Sequence, residues 1–222
     1  MSDADERSVR IQVGDVALDA DLGTPAGARA LVVFAHGSGS GRRSPRNRHV
    51  AASLRAAGYA TLLMDLLTPA EAQVDATTRH LRFDIEMLAT RLTGAVDWWT
   101  GEGRRTATAG LPVVTFGAST GAAAALITAA DRPERVAGVV SRGGRPDLAG
   151  EALSRVRVPT LLVVGGADTQ VLELNREAAR ALAGEVEIAV VPGATHLFKE
   201  PGTLDEVVRL TVDALDRWSA PA

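Results

Sequence analysis

The chain has 222 residues, 46% hydrophobic and 23% charged, with a formal net charge of −3. That length suits one domain with a substantial core, and the acidic balance excludes the basic footprint of a nucleic-acid binder or a cationic membrane-surface protein. The complete absence of cysteine removes disulfides, thiolate metal sites and thiol nucleophiles together.

The opening MSDADER is acidic and polar where a signal peptide would start basic and then turn apolar. No apolar run approaches the ~20 residues of a bilayer span. A cytoplasmic protein is expected, with no membrane and no nucleic-acid partner. A single domain over residues 1–222 is expected, residues 1–7 forming a flexible tail.

Short apolar runs alternate with longer amphipathic stretches, the pattern of a mostly parallel, doubly wound sheet with helices on both faces. Val9–Val13 and Val16–Leu22, parted by Gly14 and Asp15, predict an N-terminal antiparallel hairpin. Buried-type strands are predicted at Leu31–Ala35, Ala60–Met64, Val113–Phe116, Val136–Val140, Thr160–Val164 and Val186–Val190. Between them, Leu81, Ile85, Leu88, Leu92, Val96 and Trp99 share one helical face. So do Leu174, Ala178 and Leu182, and Leu204, Val207, Val208, Thr211, Leu215 and Trp218. Trp98 and Trp99 are expected to pack in the core rather than form a ligand platform. Leu67–Thr78 is the longest stretch without clear periodicity and is expected as a mobile loop.

The run Val113-Val-Thr-Phe-Gly-Ala-Ser119-Thr-Gly121 followed by four alanines reads as strand, G-x-S-x-G turn and small-residue helix. Such a turn brings two backbones so close that only glycine fits at Gly117 and Gly121. It thrusts Ser119 out at a helix N-terminus, where free N–H groups and the helix dipole favour developing negative charge. Serine needs a base to take its proton. Of four histidines, His49 and His80 stand in helix-like stretches where solvated or capping roles are expected, and His36 is expected to be a structural hydrogen-bonder. His196 lies in the loop after the last strand, beyond the carboxyl end where α/β sheets place reactive groups.

The base needs a carboxylate to hold its tautomer. Asp168 closes the strand-and-glycine turn Leu161-Leu-Val-Val-Gly-Gly-Ala-Asp168. Its position just before a helix also makes it a candidate N-cap. Asp147, after the preceding strand, is the rival acid. The chain order Ser119, Asp168, His196 favours Asp168. An oxyanion hole is assigned to the N–H groups of Thr120 and Ser38, the latter in His36-Gly-Ser-Gly-Ser-Gly41. That loop is no phosphate-binding P-loop, since no G-K-[ST] follows.

Assembled, these residues resemble the α/β-hydrolase superfamily over nearly the whole chain. The segments HGSGSGRRSPRN, RFDIEMLATRL, GASTG, GGAD and GATHLF are similar to the dienelactone-hydrolase-related branch of small, lidless hydrolases. Dienelactone hydrolases carry cysteine at the elbow, where this chain has Ser119. The resemblance therefore implies hydrolysis of carboxylic esters or related acyl substrates, through an acyl-enzyme and without metal or organic cofactor. Only about 18 residues separate the strand at Val136–Val140 from Thr160, too few for a helical cap, so an open, shallow pocket without a cap domain is expected.

Arginines cluster beside the elbow. Arg42, Arg43, Arg46 and Arg48 follow the glycine loop, and Arg142 and Arg145 follow a strand's carboxyl end. Arg46, Arg142 and Arg145 are nominated to bind a substrate carboxylate or phosphate, which a planar fork suits. Solvated arginines or ion pairs holding loops are the competing reading. A perhydrolase or acyltransferase on the same triad, or a non-catalytic binding protein of the same fold, stay open as alternatives. The expected partner is a small-molecule substrate, with a homodimer as the protein assembly considered.

Overall fold

The computed structural model describes residues 6–101 and 110–219. Eight strands form one sheet: β1 (Glu6–Val13), β2 (Val16–Gly23), β3 (Leu31–Ala35), β4 (Ala60–Met64), β5 (Val113–Ala118), β6 (Val136–Arg142), β7 (Thr160–Gly165) and β8 (Val186–Val191). Their order across the sheet is β1-β2-β4-β3-β5-β6-β7-β8. β1 and β2 form an antiparallel hairpin, β2 joins β4 antiparallel, and every remaining pair is parallel. Glu6 and Arg7, expected in a tail, are instead the first residues of β1, paired with Gly23 and Leu22. Residues 1–5 lie outside the described residues.

The described residues form six α-helices: α1 (Pro45–Ala56), α2 (Pro69–Thr78), α3 (Ile85–Thr100), α4 (Gly121–Asp131), α5 (Thr169–Ala181) and α6 (Thr203–Trp218). Helices α3 and α4 bury their apolar faces in one core cluster and α1 and α6 in another, while α5 adds Ala178 to the first and Val171 and Leu172 to a small third cluster. The central strands therefore read as continuous apolar runs, because alternate side chains enter opposite cores. In β3, Leu31 and Val33 face one side, Val32 and Phe34 the other. Phe34 and Phe116 stack across β3 and β5 with ring centroids 4.7 Å apart. Burial of each such ring contributes about 1.5–3 kcal/mol.

Strand β3 is followed in the sheet by β4 on one side and β5 on the other. The strand order reverses between β3 and β5, and the crevice outside their carboxyl ends is where such sheets bind ligands.

Three expectations are revised. Leu67–Thr78 is not a loop: Thr68 caps α2 by accepting from Glu71 N–H, and the Glu71 carboxylate accepts from Thr68 N–H at 2.7 Å. With Pro69 opening the first turn, this capping box forms a helix that lacks an apolar stripe because it lies on the rim, not on the sheet. Glu71 also takes both prongs of Arg91 from α3, at 2.8 and 3.2 Å. The helix expected from Leu81 onward is interrupted. A 3-10 turn covers Leu81–Phe83, and Asp84 then caps α3 through Met87 N–H at 3.0 Å. In α5 the buried face is Val171, Leu172, Asn175 and Ala178, shifted from the stripe through Leu174.

Candidate active site

Strand β5 runs on to Ala118, two residues past its predicted end, so the turn to α4 is made by Ser119 and Thr120. A β-carbon on Gly117 would stand 2.3 Å from Ala122 Cα, and one on Gly121 would stand 2.3 Å from the Ala35 carbonyl oxygen. Both positions are therefore confined to glycine by close backbone approach. Ser119 itself has φ of 50°, a left-handed conformation that a side chain rarely adopts. Its carbonyl accepts from Ala122 N–H at 3.1 Å and Arg145 N–H at 3.0 Å, and its N–H donates to Arg142 C=O at 3.3 Å. Three main-chain bonds hold the strained residue in place.

His196 meets Ser119 and Asp168 as the chain order suggests. Its Nδ1–H donates to Asp168 Oδ2 at 2.7 Å, and Nε2 lies 3.3 Å from Ser119 Oγ. The His196 side chain is 37% exposed, open to a substrate, while that of Asp168 is 15% exposed. Asp168 is the residue before α5, yet its side chain caps nothing, so the carboxylate is left for the imidazole. Main-chain bonds join the two loops: Gly166 N–H to Val191 C=O at 2.8 Å, and Ala167 N–H to Ala194 C=O at 3.0 Å. Asp147 is elsewhere, held by Arg145 through bonds of 2.8 and 2.7 Å.

The loop after β3 passes over the elbow. His36 is its buried anchor, with Nδ1–H donating to Gly37 C=O and Nε2 accepting from Leu66 N–H, each at 3.0 Å. Burial pushes its pKa below the ordinary histidine range, so it stays neutral and keeps that tautomer. Ser38 and Thr120 both line a cavity of 230 Å³ beside the elbow, closed by Leu67, Ala72, Ala76 and Leu88. Its far wall is α2, held by Arg82, which donates to the buried Asp75 through Nε at 2.6 Å. The pocket is thus walled by a rim helix, while the segment between β6 and β7 is only a kinked 3-10 stretch at Pro146–Arg155. Among the described residues no cap domain is present.

The arginines separate into two sets. Arg42 pairs with Asp65 and Asp21, Arg48 with Glu6 and Asp21, and Arg145 with Asp147. These hold loops, as the competing reading had it. Arg142 is only 8% exposed and has no such acid. Burial first, then the like charge of Arg46, lower its pKa to about 10.

Sequence reasoning missed two positioning residues. Glu200 accepts from Thr195 N–H at 3.1 Å and Thr195 Oγ1 at 2.7 Å, bracing the His196 loop. Buried Asn175 donates to Gly144 C=O at 3.0 Å and Val171 C=O at 2.8 Å, tying α5 to the loop after β6. One closes the His196 loop on itself and the other joins a helix to a loop, and no local motif marks either. Among the described residues no group of three or more His, Asp or Glu side chains could hold a metal ion. No described helix is long and apolar enough to cross a membrane.

The family model described as an alpha/beta hydrolase domain matches residues 28–214. The chain belongs to the α/β hydrolase family. Within it, the chain is similar to the structure of dienelactone hydrolase from Anabaena variabilis ATCC 29413, with TM-score 0.90 and 53% identity over 94% of this chain and 95% of that one. It is a dienelactone-hydrolase-like member of the superfamily. Est1E from Butyrivibrio proteoclasticus shares the fold, with TM-score 0.78 at 16% identity over 96% and 99% of the two chains. A Mycobacterium tuberculosis (strain ATCC 25618 / H37Rv) protein named "Putative phosphoribosyl transferase Rv0571c" is 53% identical over 208 residues, 94% of this chain. The chain spans about half the length, 45%, of that curated relative.

Proposed function

We propose that this α/β hydrolase cleaves carboxylic esters of small acyl groups, with Ser119 as nucleophile. The observation that carries the reading is the two-bond chain Asp168–His196–Ser119, 2.7 and 3.3 Å long, ending on a serine strained at a strand-to-helix turn. His196 Nε2 takes the hydroxyl proton as Ser119 Oγ attacks the acyl carbon, and Asp168 stabilises the imidazolium so formed. The N–H groups of Ser38 and Thr120 meet the oxyanion. The proton then passes to the leaving alcohol, and water activated by His196 releases the acid. The 230 Å³ cavity beside Ser38 and Thr120 fits a short acyl chain.

The phosphoribosyl transferase name belongs to a protein more than twice as long as the stretch matched here, 45% of its length. For this chain the residues around Ser119 support acyl hydrolysis. The test is labelling by a fluorophosphonate and turnover of p-nitrophenyl esters of graded acyl length, with and without added acyl acceptors. Labelling at Ser119 and faster hydrolysis of short esters are expected, both abolished in Ser119→Ala. Undiminished labelling or turnover in that variant would remove Ser119 from the mechanism, and acceptor-dependent product would make the enzyme a transferase.

A further inference from the structure

Of the six arginines beside the elbow, Arg42, Arg48 and Arg145 have carboxylate partners and Arg43 is exposed; Arg46 and Arg142, half-buried and buried without an acid among the described residues, are the informative pair. Val140 enters the core beneath α1 and α6, so Arg142, two residues on in β6, projects to that same face. There it feels the like charge of Arg46, in the first turn of α1. No acceptor among the described residues reaches Arg142 Nη1 or Arg46 Nε, although both atoms are buried. The first turn of α1 holds no acidic residue, and Asp205 from α6 is taken by His49 at 2.8 Å. Two guanidinium groups of like charge therefore act on one another near the positive end of a helix, with no counter-charge among the described residues, an arrangement costly to bury.

We propose that Arg46, Arg142 and the amino end of α1 form a subsite for a phosphate group carried by the substrate. The charge count favours phosphate over carboxylate. Two guanidinium charges and about half a charge from the helix face roughly −1.5 to −2 on a phosphate monoester, against −1 on a carboxylate. Two planar forks and a helix N–H also match the several oxygens of a tetrahedral anion. The position is adjacent to the chemistry, since the Arg142 carbonyl accepts the Ser119 N–H and Arg142 pairs in register with Ala118. Arg46 is half-buried and gives the anion a route from solvent. The placement of this group as part of a substrate rests on Ser119 being the hydrolytic centre; the binding of phosphate does not.

Binding is measured by calorimetry on Ser119→Ala protein in phosphate-free buffer, with inorganic phosphate and glutarate as probes. Phosphate should bind, glutarate at least about tenfold more weakly, and Arg46→Ala or Arg142→Gln should each weaken phosphate by about tenfold or more. Because Arg142 is buried, Arg142→Met is added as a stability readout. Without phosphate this variant should melt at or above the wild-type temperature, and addition of phosphate should stabilise the wild type alone. On active protein, kcat/KM for an acetyl ester whose alcohol carries a phosphate should exceed that of its neutral counterpart by about ten- to hundredfold at low salt. That ratio should collapse in Arg46→Ala.

Absence of phosphate binding, equal binding of glutarate, or a marked loss of Tm in phosphate-free Arg142→Met would overturn the subsite. Phosphate binding without turnover of either ester would instead sink the hydrolytic reading and leave the anion site standing.

Discussion

Replacing Asp168 with asparagine tests the proposed mechanism with the least disturbance of shape. In the native site the carboxylate accepts from His196 Nδ1–H at 2.7 Å, which leaves the Nε2 lone pair facing Ser119 Oγ at 3.3 Å. An asparagine amide that donates to Nδ1 forces the ring proton onto Nε2. The ring can then donate toward the serine but cannot accept its proton. If the amide instead turns its oxygen to Nδ1, the tautomer is kept but the imidazolium loses its negative partner. Together these effects lower kcat by on the order of 10³–10⁴, or about 4–5.5 kcal/mol of transition-state stabilisation.

KM should change little, because Asp168 does not line the 230 Å³ cavity proposed to hold the acyl chain. The assay is steady-state hydrolysis of p-nitrophenyl acetate alongside the rate of fluorophosphonate labelling, both of which need the base. Asp147→Asn serves as the control. Its carboxylate already takes two bonds from Arg145 at 2.8 and 2.7 Å, so only a few-fold effect is expected. Activity of Asp168→Asn within tenfold of wild type, or an equal fall in Asp147→Asn, would refute the reasoning.

Three further outcomes follow from particular contacts. In Gly121→Ala the new methyl would stand 2.3 Å from the Ala35 carbonyl and 2.7 Å from that of His36, both backbone and unable to give. A loss of about 3 kcal/mol, or a Tm lower by roughly 6–12 °C, is expected; a Tm within about 2 °C of wild type would contradict the elbow geometry. Glu200→Ala frees Thr195 and the loop bearing His196, so kcat should fall about ten- to hundredfold with KM little changed. Glu200→Gln should recover most of that, and no loss in the alanine variant would show that the loop is held otherwise. The third outcome concerns pH. Burial lowers the His36 pKa, so below about pH 6.5 the unfolded chain binds a proton that the folded chain refuses. Stability is therefore lost as pH falls from about 6.5, at no more than about 1.4 kcal/mol per pH unit. Urea unfolding should show the gap between wild type and His36→Gln narrowing from pH 7.5 to 5, and a constant gap would mean that His36 takes up its proton as readily folded as unfolded.

Much of this architecture was legible from local signals. Buried parallel strands, the glycine-flanked Ser119 and the strand-end turns bearing Asp168 and His196 are each written within ten or so consecutive residues, because backbone sterics and side-chain alternation act over that range. Chain order was enough to predict the meeting of Ser119, Asp168 and His196, since parallel strands bring their carboxyl ends to one edge. Capping chemistry at Thr68 and Glu71 was equally local, and a reading of periodicity alone passed over it.

Ion pairing was different in kind. Arg145 and Arg142 lie three residues apart and look alike in sequence, yet one is neutralised by Asp147 and the other is buried beside Arg46. Which charge meets an opposite charge depends on the face of the sheet each strand end presents and on the helix packed there. The same holds for Glu200, whose value lies in the loop it closes, and for Asn175, which joins α5 to the loop after β6. Local sequence determined where the reactive groups stand along the chain; only the tertiary fold decided which charges are left without partners, because electrostatic pairing is a property of distance in space and of burial.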